Sequence, residues 1–266
     1  MKDERTAAGD FGTPLIWTRA APPKRRQSPL ERDDIVRAAT AVADEGGAEA
    51  LTMAAVARRL GPYTPMALYR HVMSKDGLVD LMLDAATAEI PVPAEPGPDW
   101  RADLRGIATE SWAMAKRHLW FAQLVPTRPP LGPHMLRRTE FQLRVLVGRG
   151  AALGEAVAYA ALLDRHVFGG AQQEAEEHAM RRRLGIDTPE RLTAAVNAVR
   201  GVAEQGGHEL LARWMEEPSG PDMDEQFALS LTFLLDGIEA RLPNPEACQG
   251  SGGGGAWGKP VDGCGG

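Results

Sequence analysis

Arg70, Met66, Tyr69, His71 and Lys75 lie close together near the amino end of the chain, and their chemistry is that of a surface that grips a nucleic acid. A guanidinium fork donates to O6 and N7 of guanine in a major groove, which discriminates bases by about 1–3 kcal/mol, and short apolar groups such as Met66 and Ala67 touch thymine methyls. A phenol, an imidazole and an ammonium group, as at Tyr69, His71 and Lys75, suit phosphates, which position a protein without specifying sequence. At about 100° per residue, a helix with Leu68 facing inward carries Val72 beside it and turns Met66 and Arg70 outward. Thr64, Pro65 and Ala67 then flank the outward face.

Positioning such a helix needs a scaffold, and LTMAAVARRLGPYTPMALYRHVMSKD, residues 51–76, contains one. Met53, Val56, Ala57 and Leu60 recur at i, i+3, i+4 and i+7, the spacing of one helix face. Gly61-Pro62 stops that helix. Thr64 offers a capping hydroxyl to the next, and Pro65 is tolerated at a first helical position, where no N–H is needed. Ser74 is placed to cap a further helix, whose amino end with Lys75 beside it makes a phosphate seat. Upstream, Ser28-Pro29-Leu30-Glu31 reads as a capping box opening a first helix, with Ile35, Ala38, Ala39, Val42 and Gly46 on its inner face. Leu78, Leu81, Met82 and Ala85 give the fourth.

At LTMAAVARRLG, PMALYRHV and SKDGLVDLM the chain resembles the DNA-binding domain of the TetR family of bacterial transcriptional regulators, over about residues 28–90. The resemblance implies phosphate contacts for Tyr69, His71 and Lys75 and base reading by Thr64, Pro65, Met66 and Ala67. GPYTPMALYR holds one more residue in the turn than the commonest family spacing. The resemblance further implies a carboxy-terminal domain that binds a small effector and pairs two subunits through a four-helix interface.

Charge distribution agrees with a localised reader. The chain of 266 residues carries a formal net charge of −6, yet residues 1–75 hold 12 Lys and Arg against 9 Asp and Glu, a net of +3 that leaves −9 on the remainder. A locally basic element on an acidic body suits one operator rather than any polyanion. Lys24-Arg25-Arg26 reads either as an arm along the DNA or as a solubilising tail. Cys248 and Cys264 both lie in a Gly-rich stretch, so no disulfide framework or zinc spacing is present, and a reducing cytoplasm is the expected compartment. No signal segment and no membrane span are expected.

The expected organisation is a flexible arm (1–27), a helix-turn-helix domain (28–90), a Pro-rich break at PVPAEPGPD, a helical effector-binding and dimerisation domain (99–242) and a disordered tail (243–266). Helices are predicted near 99–117, 118–125, 133–149, 154–183, 188–203, 207–216 and 222–241. The last of these has two apolar stripes, Phe227, Leu231, Leu234 and Ile238 on one side and Leu229, Phe233, Gly237 and Ala240 on the other, and a helix apolar on both sides must be covered on both. Ala156, Ala160, Leu163, Val167 and Gly170 are placed to form its companion face in a dimer; the alternative is a monomeric bundle with both helices central.

Trp112, His118, Trp120, His134, His166 and Phe168 are candidate linings of an apolar effector pocket with a few polar anchors. Glu174, Glu176 and Glu177 beside Arg181, Arg182 and Arg183 read as a solvated charge ladder. No metal, cofactor or enzymatic motif is expected. The reading is an all-α protein, an N-terminal three-helix helix-turn-helix domain with a helical C-terminal ligand-binding and dimerisation domain. Its function is that of a homodimeric repressor released from a palindromic operator by a small molecule, the alternative being a ligand-binding helical dimer without specific DNA readout.

Overall fold

The computed structural model describes residues 16–18, 30–127, 131–216 and 220–243. Eleven α-helices run through them: α1 (Arg32–Gly46), α2 (Met53–Leu60), α3 (Pro65–Val72), α4 (Lys75–Thr87), α5 (Trp100–Arg117), α6 (Leu119–Leu124), α7 (Pro133–Gly148), α8 (Leu153–Leu184), α9 (Pro189–Gln205), α10 (Glu209–Glu216) and α11 (Met223–Glu239). No strand occurs among the described residues, so the all-α expectation holds.

Side-chain caps set the starts. Thr52, Thr64, Ser74, Asp99, Thr188 and Asp222 each accept a backbone N–H from the first turn of α2, α3, α4, α5, α9 and α11, each satisfying a donor that the helix itself cannot. The opening of α1 differs from its expected box. Ser28 lies outside the described residues, and the cap is Glu31, whose N–H donates to Asp34 Oδ2 at 3.0 Å. Leu30 before it and Ile35 after it both enter the core, the arrangement of a hydrophobic staple.

One apolar core runs from Ile16 to Leu242. The Pro-rich connection after α4 therefore divides the chain in sequence without separating its packing. Helix α4 lies against α1 on one side and α5, α6 and α7 on the other, so Val79, Leu83 and Ala86 are buried along with the expected Leu78, Leu81 and Met82. Ala85 is exposed instead of buried. On α1, Val36 and Ala43 are buried whereas Val42 is half-buried and Gly46 exposed. The lead-in also needs correcting: Ile16, in a short 3-10 turn at Ile16–Thr18, is only 3% exposed. The rest of the expected arm with Lys24-Arg25-Arg26, and the tail after Pro243 with both cysteines, lie outside the described residues.

A second correction concerns α8. Ala156, Ala160, Leu163 and Val167, assigned above to a subunit interface, are buried within this chain, where α8 packs against α5, α6, α7 and α11. Leu153 and Val157, one turn apart, are exposed instead, and Leu162 is exposed on another side of the helix. Glu177 pairs with Arg181 one turn on, as a ladder would. Glu174 leaves that ladder, its side chain 13% exposed and 3.5 Å from Lys116 Nζ.

Gly77 shows how tightly α3 and α4 are joined. A Cβ there would sit 2.3 Å from the Val72 carbonyl oxygen and 3.2 Å from Ile16 Cδ1. Because a backbone carbonyl cannot turn aside as a side chain can, Gly77→Ala is expected to destabilise the fold by about 1–3 kcal/mol, measured as a lower urea midpoint. An unchanged midpoint would show that the joint is slack.

Candidate nucleic-acid interface

Helix α3 is seated by two residues. Leu68 and Val72 are fully buried, while Met66 on the opposite side is 74% exposed and Arg70 is exposed with it. Thr64 and Pro65 stand exposed at the amino end of the helix, Ala67 is half-buried beside them, and Tyr69 is exposed at the flank. The Thr64 hydroxyl accepts from Ala67 N at 3.3 Å, so its oxygen is partly committed to the cap. Helix α2 lies across α3, and Arg59 Nη1 donates to Glu45 Oε2 at 2.8 Å, tying α2 to α1.

The carboxyl end of α3 is held from α1. Arg32 Nε donates to the His71 carbonyl oxygen at 3.1 Å. Burial first, then the positive charges of Arg70 and Arg32, hold the His71 imidazole below its ordinary range. Near neutral pH it therefore meets a partner as an N–H donor rather than a cation. The turn into α4 is tight: Met73 has φ of 66°, a left-handed value that a residue with a side chain seldom adopts. Ser74 Oγ accepts from Gly77 N at 2.9 Å, and exposed Lys75 stands at the first position of α4. Tyr69, Arg70, His71 and Lys75 thus follow one another around the outer end of the α3–α4 joint.

Sequence reasoning missed Arg32, whose bond to His71 spans 39 residues and has no local signature. It also grouped six pocket residues that the fold distributes over four places. Trp112 stacks on Phe227 with centroids 4.5 Å apart, and His166 also stacks on Phe227, at 5.2 Å. The indole of Trp112 donates to Asp224 Oδ1 at 2.7 Å. Lys116 foremost, then Trp112, hold that carboxyl below its ordinary range against the opposing effect of burial. Phe168 contacts Phe121 at 5.3 Å and lies under the Arg138 guanidinium at 5.5 Å.

His118, Trp120 and His134 belong elsewhere. His118 and the Trp120 indole both reach Asp44 on α1, and His134 Nδ1 is 2.7 Å from Asp84 Oδ2 on α4. These three rings hold the two parts of the molecule together instead of sharing a pocket with Trp112. Arg138 was overlooked because an arginine in an amphipathic pattern counts as surface. It is fully buried, with Nε donating to Ser111 Oγ at 3.0 Å and its guanidinium paired with Asp164, which Gln142 also contacts.

Comparison with known proteins agrees with this geometry. Residues 35–82 match the model of bacterial regulatory proteins of the tetR family, and residues 92–242 match the tetracyclin repressor-like C-terminal domain. The chain belongs to the TetR family. The HTH-type transcriptional repressor DrrR1 of Streptomyces coeruleorubidus is 35% identical over 89% of this chain and 88% of its own length. The tetracycline repressor protein class C of Escherichia coli is 30% identical over 56% of this chain and 68% of its own. In fold, the Streptomyces coelicolor TetR family protein ActR, in a complex with actinorhodin, superposes with a TM-score of 0.67 at 24% identity, over 82% of this chain and all of ActR. This TetR-family chain is therefore a DNA-binding transcriptional regulator of the ligand-responsive kind.

Two substitutions are expected to separate reading from gripping. Arg70→Ala is expected to relax base preference at one symmetric pair of operator positions, at about 1–3 kcal/mol per lost contact. Lys75→Ala should weaken binding to every sequence alike and reduce the salt slope by about one. Competition binding over single-base operator variants at several salt concentrations measures both, and an unchanged preference profile for Arg70→Ala would remove its reading role.

Proposed function

We propose that this TetR-family chain is a homodimeric repressor that holds a two-fold operator through α3 and lets it go when a small molecule enters the body formed by α5, α7 and α8. The observation that carries the reading is the split of α3 into a buried pair, Leu68 and Val72, and an exposed pair, Met66 and Arg70. A helix seated in this way is presented as a major-groove reader must be. DrrR1 and the tetracycline repressors are named as repressors, which supports the sign of regulation.

Dimerisation is supported by what α11 leaves uncovered. Phe227, Leu231, Leu235 and Ile238 are buried in this chain, but Leu229 and Phe233 are exposed, Phe233 by 64%. Leu153 and Val157, one turn apart on α8, are exposed as well. Exposed apolar pairs at one-turn spacing on two long helices are unfavourable in water and suit a second copy. Pairing two readers at about 34–36 Å, one turn of DNA, would match the two-fold axis of the protein to that of its operator.

The effector region is assigned to the aromatic stack of Trp112, Phe227 and His166 and to Phe168 beside Arg138, Gln142, Ser111 and Asp164. Apolar rings with a few fixed polar groups are what a small-molecule site needs. ActR is seen with actinorhodin and the tetracycline repressors take their name from tetracycline, and compounds of those kinds are the first to try. For release, the effector must bind the DNA-free arrangement more tightly than the bound one.

Selection from random duplexes tests the DNA half of the proposal. A two-fold motif with half-sites about one helical turn apart is expected; uniform, steeply salt-dependent binding would contradict it. Phe233→Asp tests the subunit half. It is expected to yield a helical monomer by sedimentation equilibrium, with operator affinity lower by about a hundredfold because two linked readers become one. A variant that remained dimeric would place the interface elsewhere.

A further inference from the structure

His118 stands between α5 and α6, buried, with a carboxylate at each ring nitrogen. Nδ1 is 2.8 Å from Asp44 Oδ1 on α1. Nε2 is 3.0 Å from Glu89 Oε1, just beyond α4. The same Asp44 oxygen accepts from the Trp120 indole at 2.6 Å. The second Glu89 oxygen accepts from Arg117 at 3.2 and 2.9 Å. Two carboxylates of the DNA-reading part thus face a guanidinium, an imidazole and an indole of the effector part.

An imidazole with one N–H offers a donor at one nitrogen and a lone pair at the other, and an ionised carboxylate only accepts. With a single proton, one of the two contacts is therefore lone pair against lone pair. With both nitrogens protonated, each carboxylate receives a hydrogen bond. The charges also balance in that form, Arg117 and His118 against Asp44 and Glu89. Burial pushes the Glu89 carboxyl up, but hydrogen bonds from His118 and then Arg117 prevail and hold it below its ordinary range, so it is an acceptor at neutral pH. The other cross-connection lacks this demand, because His134 meets Asp84 through Nδ1 alone.

We propose that His118 is a positioning residue whose second proton closes a clamp between the effector body and the DNA reader, through Asp44 and Glu89. The clamp holds the reader while both ring nitrogens carry hydrogen and loosens it when one is lost. Its contribution is thus present while both nitrogens are protonated and lost as rising pH removes one of the two protons. Strong acid opens it as well, by protonating Glu89. The proposal rests on residues 32–90 being the reader, but its test examines the joint without DNA, so the two can fail separately.

Hydrogen–deuterium exchange on the full chain provides the test, at about pH 6 and about pH 8.5, on either side of the histidine range and with rates corrected for intrinsic exchange. Amides at the carboxyl ends of α1 and α4 should lose about tenfold in protection at the higher pH, the scale of a hydrogen bond to a charged group. In His118→Gln, whose two N–H groups share one nitrogen and so cannot span the two carboxylates, protection should be low at both pH values. Glu89→Gln is the decisive variant. Its amide can donate to the Nε2 lone pair, so the joint should stay protected at high pH, a result that loss of a merely structural contact would not produce. Equal corrected protection of the unsubstituted protein at both pH values would overturn the proposal. So would loss of protection in Glu89→Gln at high pH. Glu89 is half-exposed, so that variant carries the test even if His118→Gln does not fold.

Discussion

Burial of Leu68 and Val72 is the contact on which the rest of this molecule depends. Helix α3 has eight residues, too few to persist in water alone, so its helicity and its direction both come from what it packs against. The two side chains fix which way the helix faces, and the Thr64 cap and the Arg32 bond to the His71 carbonyl fix where it begins and ends. Once those are set, Met66 and Arg70 have nowhere to point but outward. Function at this end of the chain is a consequence of seating.

The same economy of contacts appears where the two parts meet. Asp44, Asp84 and Glu89 are carboxylates of the amino-terminal part, and each is held by groups from α5, α6 or the start of α7. Asp84 is buried, accepting from the backbone N–H of His134 and Met135 as well as from the His134 ring. A buried carboxylate stripped of such donors is costly, so the joint has few tolerable arrangements rather than a continuum. A joint of that kind can pass a displacement in the effector body on to α4, and from α4 to α3, without deforming either part.

Much of this was legible in the residues themselves. Helical periodicity, Gly61-Pro62 and the capping residues Thr64 and Ser74 located α2, α3 and α4, because those signals are local and the structure leaves them unopposed. The outward turn of Met66 and Arg70 followed from the wheel alone. What could not be read was long-range. His118 and Trp120 looked like pocket residues because their partner on α1 lies 74 and 76 positions away. Arg138 went unremarked because burial of a charge depends on Asp164 and Ser111, neither of which its neighbours announce. The stripe on α8 was recognised as apolar, but periodicity cannot say whether such a stripe faces its own chain or another. The TetR family models span both parts of the chain, and they agree with the fold, but those side-chain partners follow only from the folded structure.

The central claim is that the exposed face of α3 touches bases. A photoreactive amino acid at position 66, irradiated in the complex with a selected duplex, tests it most directly. The account predicts covalent attachment to bases within each half-site, on the major-groove side, at two places related by the operator dyad. Attachment to sugar or phosphate alone, or none from an intact complex, would contradict it.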